Sequence, residues 1–446
     1  MTVGMFESFV TRHWFSDTAK QLWSDQQTLQ AWLDVEAALA LAQAELGVIP
    51  ADAAPQIAAA CDASRFDPDQ LSRDIAYAQH PFVPVLKQLE KLCGDPAAGY
   101  IHWGATTQNI FDTASALQMR RTHAHVSTTL SHVETVLADL AVAHRDTLQA
   151  GRTHGQHALP MTFGFKVLGW LEELRRDRQR LDSRIDESFV ACLGGAIGTF
   201  AAMGDKGRAV EALMADKLGL VAAGLPMRAS FDRGADYVTA LGVLAGTAER
   251  IAREIVFLQR TEIAEAEEAF HMGKVGSSTM AQKRNPSTAL TLVSLCRLMQ
   301  ARVTLALGSM VRMDEGDSSA TNITDVALPE IGILAASIAE TLDRLLDGLV
   351  VHADKMAANL NLTNGLIVSE AAMMQLSDRI GRHHAHELLY EAAQRTVAEG
   401  IPFLEAIARH PMMQGLPTGQ AINLDPAAYT GASATLVDDL AKAGRA

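Results

Sequence analysis

Three short segments gather the residue types that move protons or hold anions. The richest is Gly273-Lys-Val-Gly-Ser-Ser-Thr-Met-Ala-Gln-Lys-Arg-Asn-Pro286. It places two hydroxyls (Ser277, Ser278), two cations (Lys283, Arg284) and an amide (Asn285) between two helical stretches, and Pro286 suits a helix start. The phosphate-loop pattern Gly-x-x-x-x-Gly-Lys-Ser/Thr is absent. So is a Gly-x-Ser-x-Gly elbow with a strand before it. An anion-binding catalytic loop and a flexible connector both fit these residues. The second segment is Gly151-Arg-Thr-His-Gly-Gln-His-Ala-Leu-Pro160. Its glycines break helix and put His154 and His157 on a turn between long helices, where a histidine can act as acid or base near neutral pH. A structural turn with capping histidines fits as well. The His-x-x-His spacing has no Glu between its members and no adjacent Cys or acid, so no metal is expected. The third segment, Gly104-Ala-Thr-Thr-Gln-Asn-Ile-Phe-Asp-Thr113, enters the longest helical stretch. Thr106, Thr107 and Asn109 offer donors beside free backbone N–H groups, which suits a carboxylate or phosphate. An ordinary Thr cap does the same with no ligand. His80, in Ala-Gln-His-Pro-Phe-Val-Pro, reads first as structural, and His383, His384 and His386 as a solvated helix face.

The elements that position these segments are helical. Ser24 with Gln27 makes a capping box, and Trp32, Val35, Glu36 and Leu39 carry a helix towards Gly47 and Pro50. Residues 105–150 contain neither Gly nor Pro, and Val126, Leu130, Val133, Leu137 and Leu140 repeat at 4, 3, 4, 3. A helix of about 40 residues would be about 60 Å long. Such a length calls for a long bundle, shared between subunits. Further helices are expected at about 164–191, 235–270, 286–310 and 330–350. Irregular segments are expected at 94–104, 151–160, 193–198, 273–285 and 314–329. Alternating strand patterns are nearly absent. The map is therefore all-α: an N-terminal helical domain (1–104), a central long-helix bundle (105–350) and a C-terminal helical domain (351–446).

Composition limits the function. The 446 residues exceed one compact core, and 48% of them are hydrophobic. No run of about 18 apolar residues suggests a membrane span, and no signal peptide is read at the N-terminus, so a cytoplasmic protein is expected. Cys61, Cys93, Cys192 and Cys296 are scattered, which argues against a disulfide framework or structural zinc. A net charge of −14 argues against nucleic acid but permits a locally basic pocket for an anionic substrate.

These segments, in this order, resemble the fumarase/aspartase superfamily along most of the chain. Gly276-Ser-Ser-Thr-Met-Ala-Gln-Lys-Arg-Asn-Pro286 is similar to the family signature Gly-Ser-Ser-x-Met-Pro-x-Lys-x-Asn. Leu33-Asp-Val-Glu-Ala-Ala-Leu-Ala and Gly194-Gly-Ala-Ile-Gly-Thr199 resemble the branch holding adenylosuccinate lyases and 3-carboxy-cis,cis-muconate cycloisomerases. Pro84-Val-Leu-Lys-Gln-Leu and Ile101-His-Trp-Gly-Ala-Thr-Thr-Gln are especially similar to the cycloisomerases.

The resemblance implies a three-domain helical subunit and a homotetramer whose active sites are each built by three subunits. It implies that Ser277 removes a proton beside a carboxylate, as an alkoxide stabilised by Lys283 and backbone N–H groups. Thr106, Thr107, Lys283 and Asn285 would bind the dianionic aci-carboxylate. Asn109, Gln156 and Ser278 complete the expected substrate contacts. His154 would protonate the leaving group, and His80 falls where adenylosuccinate lyases carry a second functional histidine. No cofactor or metal enters this reading.

Departures narrow the choice. Ala281 replaces the signature proline, and Asn109 a usual Asp. Adenylosuccinate lyases carry Glu-Arg-Asp-x-Ser-His-Ser-Ser-x-Glu-Arg where this chain has 315–325, and their two arginines are here Gly316 and Asp325. An acid in place of an arginine is poor for a nucleotide phosphate. Bacterial cycloisomerases of the family carry an aromatic residue where His154 stands, so His154 favours a lyase. The expected activity is β-elimination from a succinyl-type dicarboxylate, with C–N cleavage of an N-substituted aspartate releasing fumarate. 3-Carboxy-cis,cis-muconate cycloisomerase is the alternative, and adenylosuccinate lyase ranks third.

Overall fold

The computed structural model describes residues 5–274, 276–415 and 422–443. The protein is all-α, as expected. Among the described residues, six helices of at least 20 residues cover Asp25–Glu45, Thr107–Ala143, Phe163–Asp182, Asp232–Leu258, Ser287–Gly308 and Ser318–Asp347, with shorter helices between and beyond them. Among the described residues, strand is confined to three two-stranded pairings.

The longest helix has 37 residues, about 55 Å at 1.5 Å per residue. Val126, Leu130, Val133 and Leu137 are fully buried along it. The next buried position is Ala141, whereas Leu140 is only half-buried. A helix with 3.6 residues per turn drifts off a strict 4–3 alternation, which explains the slip.

Two expectations fail in informative ways. The long helix stops at Ala143, close to the expected length, but the segment expected to be irregular at 151–160 lies in an antiparallel hairpin of β1 (Leu148–Thr153) and β2 (Gln156–Thr162). Its two-residue turn is His154-Gly155, with φ of +52° and +78°. Positive φ at both positions matches the strand twist of a tight hairpin. The register shifts between Ala150 and Arg152, and a Cβ on Gly151 would lie 2.9 Å from the Leu159 carbonyl. Glycine therefore sits where the bulge brings backbones close. The second failure is 314–329. A helix begins there at Ser318 and runs through Pro329. The proline removes one helical hydrogen bond, but the turns after it bury Ile331, Leu334, Ile338 and Leu342.

Contacts between Cα atoms divide the chain into two compact units. The first comprises Met1–Leu130, Arg176–Glu249 and Thr291–Thr341. In it, Ser24 Oγ accepts from the Gln27 N–H at 3.3 Å and starts the helix Asp25–Glu45. Trp32 on that helix stacks on Phe111 at 4.6 Å, with Phe82 edge-on to both rings. The second unit comprises Ser131–Arg175, Arg250–Leu290 and Leu342–Ala446. Its C-terminal helices close around Leu376, Leu388, Phe403 and Ile407. His383, His384 and His386 lie exposed, as expected.

Candidate active site

In the first unit, the turn carrying Thr106 and Thr107 is pinned from beneath by two buried polar side chains of the helix Asp25–Glu45. Glu36 accepts from the His102 backbone N–H at 3.2 Å, and its other oxygen lies 2.6 Å from His102 Nδ1. Gln43 Nε2 donates to the Trp103 carbonyl at 2.6 Å. The seam that ordered this helix in the sequence thus also carries the residues that shape the turn. Asn109 is buried, and its Oδ1 accepts from the Thr106 and Gly195 N–H groups, each at 3.1 Å. Asn109 Nδ2 is buried without a partner. The Thr106 and Thr107 hydroxyls make no hydrogen bond among the described residues and are partly exposed, so they are free for a ligand. His80 uses its Nδ1 to accept from the Phe82 and Val83 N–H groups, both at 3.2 Å. That is a helix-capping arrangement.

The same unit holds two loops against this turn. Glu211, almost fully buried, accepts from the Leu193 N–H at 3.0 Å and the Gly224 N–H at 3.1 Å, and so clamps them together. Arg228 follows on the second loop, and its Nη1 donates to the Ala196 carbonyl at 2.5 Å. Behind them lies a cavity of about 130 Å³, whose polar lining includes Asp112, Asp325, Arg312 and Arg233. Burial pushes the Asp112 carboxyl up to about 6, against the pull of the Gln108 amide, Arg312 and Arg228. Burial also raises Asp325.

In the second unit, the hairpin turn exposes His154 and Gln156. The hairpin is anchored by Arg152, which grips the fully buried Glu265 through both guanidinium nitrogens. Gln149 and Asn359 add amide donors to the same carboxylate at 2.7 Å each. Burial pushes Glu265 up, but the Arg152, Asn359 and Gln149 donors outweigh it and hold the carboxyl below the usual range. His157 is held below the ordinary histidine range by burial and by the Arg152 charge.

The serine loop lies in the same unit and is tied at its base. Glu268 accepts from the Thr288 and Ala289 N–H groups and so caps the helix Ser287–Gly308, while its Oε1 meets Lys274 Nζ at 2.6 Å. Asn285 Nδ2 donates to the Gly276 carbonyl at 2.5 Å. A Cβ on Gly276 would collide with the Lys283 carbonyl, so only glycine closes this neck. Within the loop, Ser277 Oγ accepts from the Met280 N–H at 3.1 Å and the Thr279 N–H at 3.4 Å. Ser278 and Lys283 are exposed, and the Lys283 ammonium has no ion pair among the described residues. No hydrogen bond joins His154 to this loop among the described residues.

A family model described as lyase matches residues 13–304, and one described as adenylosuccinate lyase C-terminus matches residues 365–440. The chain belongs to the fumarase/aspartase superfamily. It is 37% identical to N-acetyl-S-(2-succino)cysteine lyase of Dickeya dadantii, over 94% of this chain and 93% of that one. It is 35% identical to adenylosuccinate lyase of Pyrococcus abyssi, over 95% of both. The crystal structure of 3-carboxy-cis,cis-muconate lactonizing enzyme from Pseudomonas putida superposes with a TM-score of 0.89 at 33% identity, covering 96% of this chain and 97% of that one. This superfamily member is thus an all-α lyase-family enzyme.

Sequence reasoning marked the three candidate segments but not the residues that support them. Glu265 and Glu268 passed unnoticed within an acidic run at the end of a helical stretch. Arg228 had no motif around it. A glycine at 316 read only as the loss of an arginine. In the structure, a Cβ at 316 would lie 3.0 Å from Arg228 Nη2 and 3.1 Å from its Cζ. A guanidinium therefore occupies the space beside Gly316 after all, delivered from another loop.

Proposed function

We propose that the protein eliminates a heteroatom substituent from a succinyl group and releases fumarate. The observation that carries this is the pair of backbone N–H groups directed at Ser277 Oγ. Serine is a poor base unless its alkoxide is stabilised, and N–H donors held by a closed loop supply that stabilisation without reorganising. Ser277 takes the proton from the carbon beside one carboxylate. The electron pair is held as an aci-carboxylate, then forms the double bond as the bond from carbon to the heteroatom breaks. His154, on its exposed turn, gives a proton to the departing atom. Thr106 and Thr107, with uncommitted hydroxyls, hold a carboxylate.

The leaving group we propose is a thiol, so that the scissile bond is C–S. The relative from Dickeya dadantii supports this choice. A second reading, C–N cleavage of an N-substituted aspartate, is favoured by His154, because an amine leaves only when protonated whereas a thiolate leaves unaided. Release of fumarate from N-acetyl-S-(2-succino)cysteine, from adenylosuccinate and from smaller N-substituted aspartates, followed by ultraviolet absorbance, separates these readings. Turnover of 3-carboxymuconate to a lactone without fumarate would replace both.

We further infer that the enzyme works as a homotetramer with sites completed by neighbouring copies. In the first unit, Val243, Leu305, Ile323 and Val326 are exposed apolar side chains on long helices, which supports a partner surface there. Sedimentation equilibrium tests it. A monomer with full activity would reject it.

A further inference from the structure

Arg228 makes no ion pair among the described residues, and Asp112 acts on it only through space. Its Nη1 is spent on the neutral Ala196 carbonyl. Its Nε is buried and has no hydrogen-bond partner. Among the described residues, no carboxylate lies within ion-pair distance of Arg228 or of Arg312, whose Nη1 donates to the Arg228 carbonyl at 2.8 Å. Arg312 is fixed in turn by the Ser309 carbonyl and by the Phe231 ring, 5.0 Å from its guanidinium carbon. In a protein of net charge −14, a partly buried guanidinium without an ion pair and with an unpartnered buried Nε is unusual, since an unmade buried hydrogen bond is costly.

The position of this charge relates it to the site. Ala196 follows Gly195, whose N–H is held by Asn109, and Asn109 also brackets the Thr106 turn. Arg228 is therefore two links from the hydroxyls proposed to hold a substrate carboxylate, all within one unit. It lies against Gly316, where a Cβ would come within 3.0–3.1 Å of the guanidinium and force it to shift. What stays uncommitted is Nη2, which lies beside Gly316, with the unpartnered Nε buried behind it. A guanidinium N–H of this kind suits a charge-assisted hydrogen bond to a carboxylate.

We propose that Arg228, seated in the space left by Gly316, binds a carboxylate on the leaving group, so that preferred substrates carry a third acid beyond the two of the succinyl unit. This rests on the elimination reading above and specifies its substrate class. Arg228 contributes recognition, with Arg312 positioning it through its carbonyl.

The test pairs two enzymes with two substrates. One substrate is N-acetyl-S-(2-succino)cysteine. The other is N-acetyl-S-(2-succino)cysteamine, which lacks only the carboxylate of the leaving group. Wild-type enzyme should prefer the first by about 10- to 100-fold in kcat/KM, mainly through KM, as expected for a hydrogen-bonded charge pair. Arg228→Ala should lose far more kcat/KM on the first substrate than on the second, so that the preference disappears, and Arg228→Lys should restore part of it. Equal use of both substrates by wild type, or an equal loss on both in Arg228→Ala, overturns the proposal. If neither substrate yields fumarate, the C–S reading fails, and binding decides about Arg228 separately. Tricarballylate should then bind about tenfold tighter than succinate in calorimetry, and Arg228→Ala should abolish the difference. Tricarballylate bound no better than succinate, or bound as well by Arg228→Ala, overturns the assignment of Arg228.

Discussion

Ser277 Oγ sits 3.1 Å from the backbone nitrogen of Met280, three residues ahead in the same loop. The N–H donates, so the oxygen is held as an acceptor, the role it must have as a base. Ser278 has no such donor among the described residues. The structure thereby gives a physical difference between two adjacent serines that only the family resemblance had set apart.

Ser277→Ala should lower turnover by about 100- to 10,000-fold, the range for removing a positioned base. Ser278→Ala should lose much less. Steady-state fumarate release measures both. Near-normal turnover in Ser277→Ala would reject the proposed mechanism.

His154→Asn should fold normally, because asparagine tolerates the left-handed backbone found at this turn. Its effect should depend on the leaving group. Loss of at least about 100-fold is expected with an amine, and a smaller loss with a thiol. Comparing the two substrate classes in this one variant shows whether His154 acts as an acid. Equal losses would point to a positioning role.

Arg152→Ala should destabilise the protein by about 3–5 kcal/mol, since it leaves the Glu265 carboxylate buried without its main partner. Urea unfolding at pH 7 measures this. Glu265 has its carboxyl held below the ordinary value of 4.5 in the folded state. A depressed acid stabilises above its unfolded pKa and loses that contribution as pH falls through the folded one. The gap between wild type and Arg152→Ala should therefore narrow in acid, below the ordinary glutamate range.

Asp112→Asn should act in the opposite pH direction. The folded state raises the Asp112 carboxyl from 3.8 to about 6. It thus binds its proton more tightly than the unfolded chain, and ionisation becomes a cost as pH rises through that interval. The variant should gain on the order of 1–3 kcal/mol at pH 8 and little at pH 4. Thermal unfolding at the two pH values checks the sign. A larger gain at pH 4 would show that Arg312 governs Asp112 instead.

Much of this protein was legible in its residues, because the relevant signals are local. The Val126–Leu137 seam, the Ser24 cap and the three chemical segments are each read within a few turns of chain, and the structure places the segments on a turn, a hairpin and a loop. The hairpin at 148–162 was missed because its decisive feature is a pair of positive φ angles, which a two-residue His-Gly signal barely announces. The helix across Pro329 was missed because burial of Ile331, Leu334 and Ile338 outweighs a local penalty. Residue types and spacing alone determined the helical class and the three candidate segments, and the family resemblance they carry implied the candidate base. Only the tertiary structure decided which serine receives N–H donors, that Glu265 gathers Gln149, Arg152 and Asn359, and that Arg228 fills the space beside Gly316. Those relationships join residues distant along the chain, and no local pattern encodes a partner that only folding brings near.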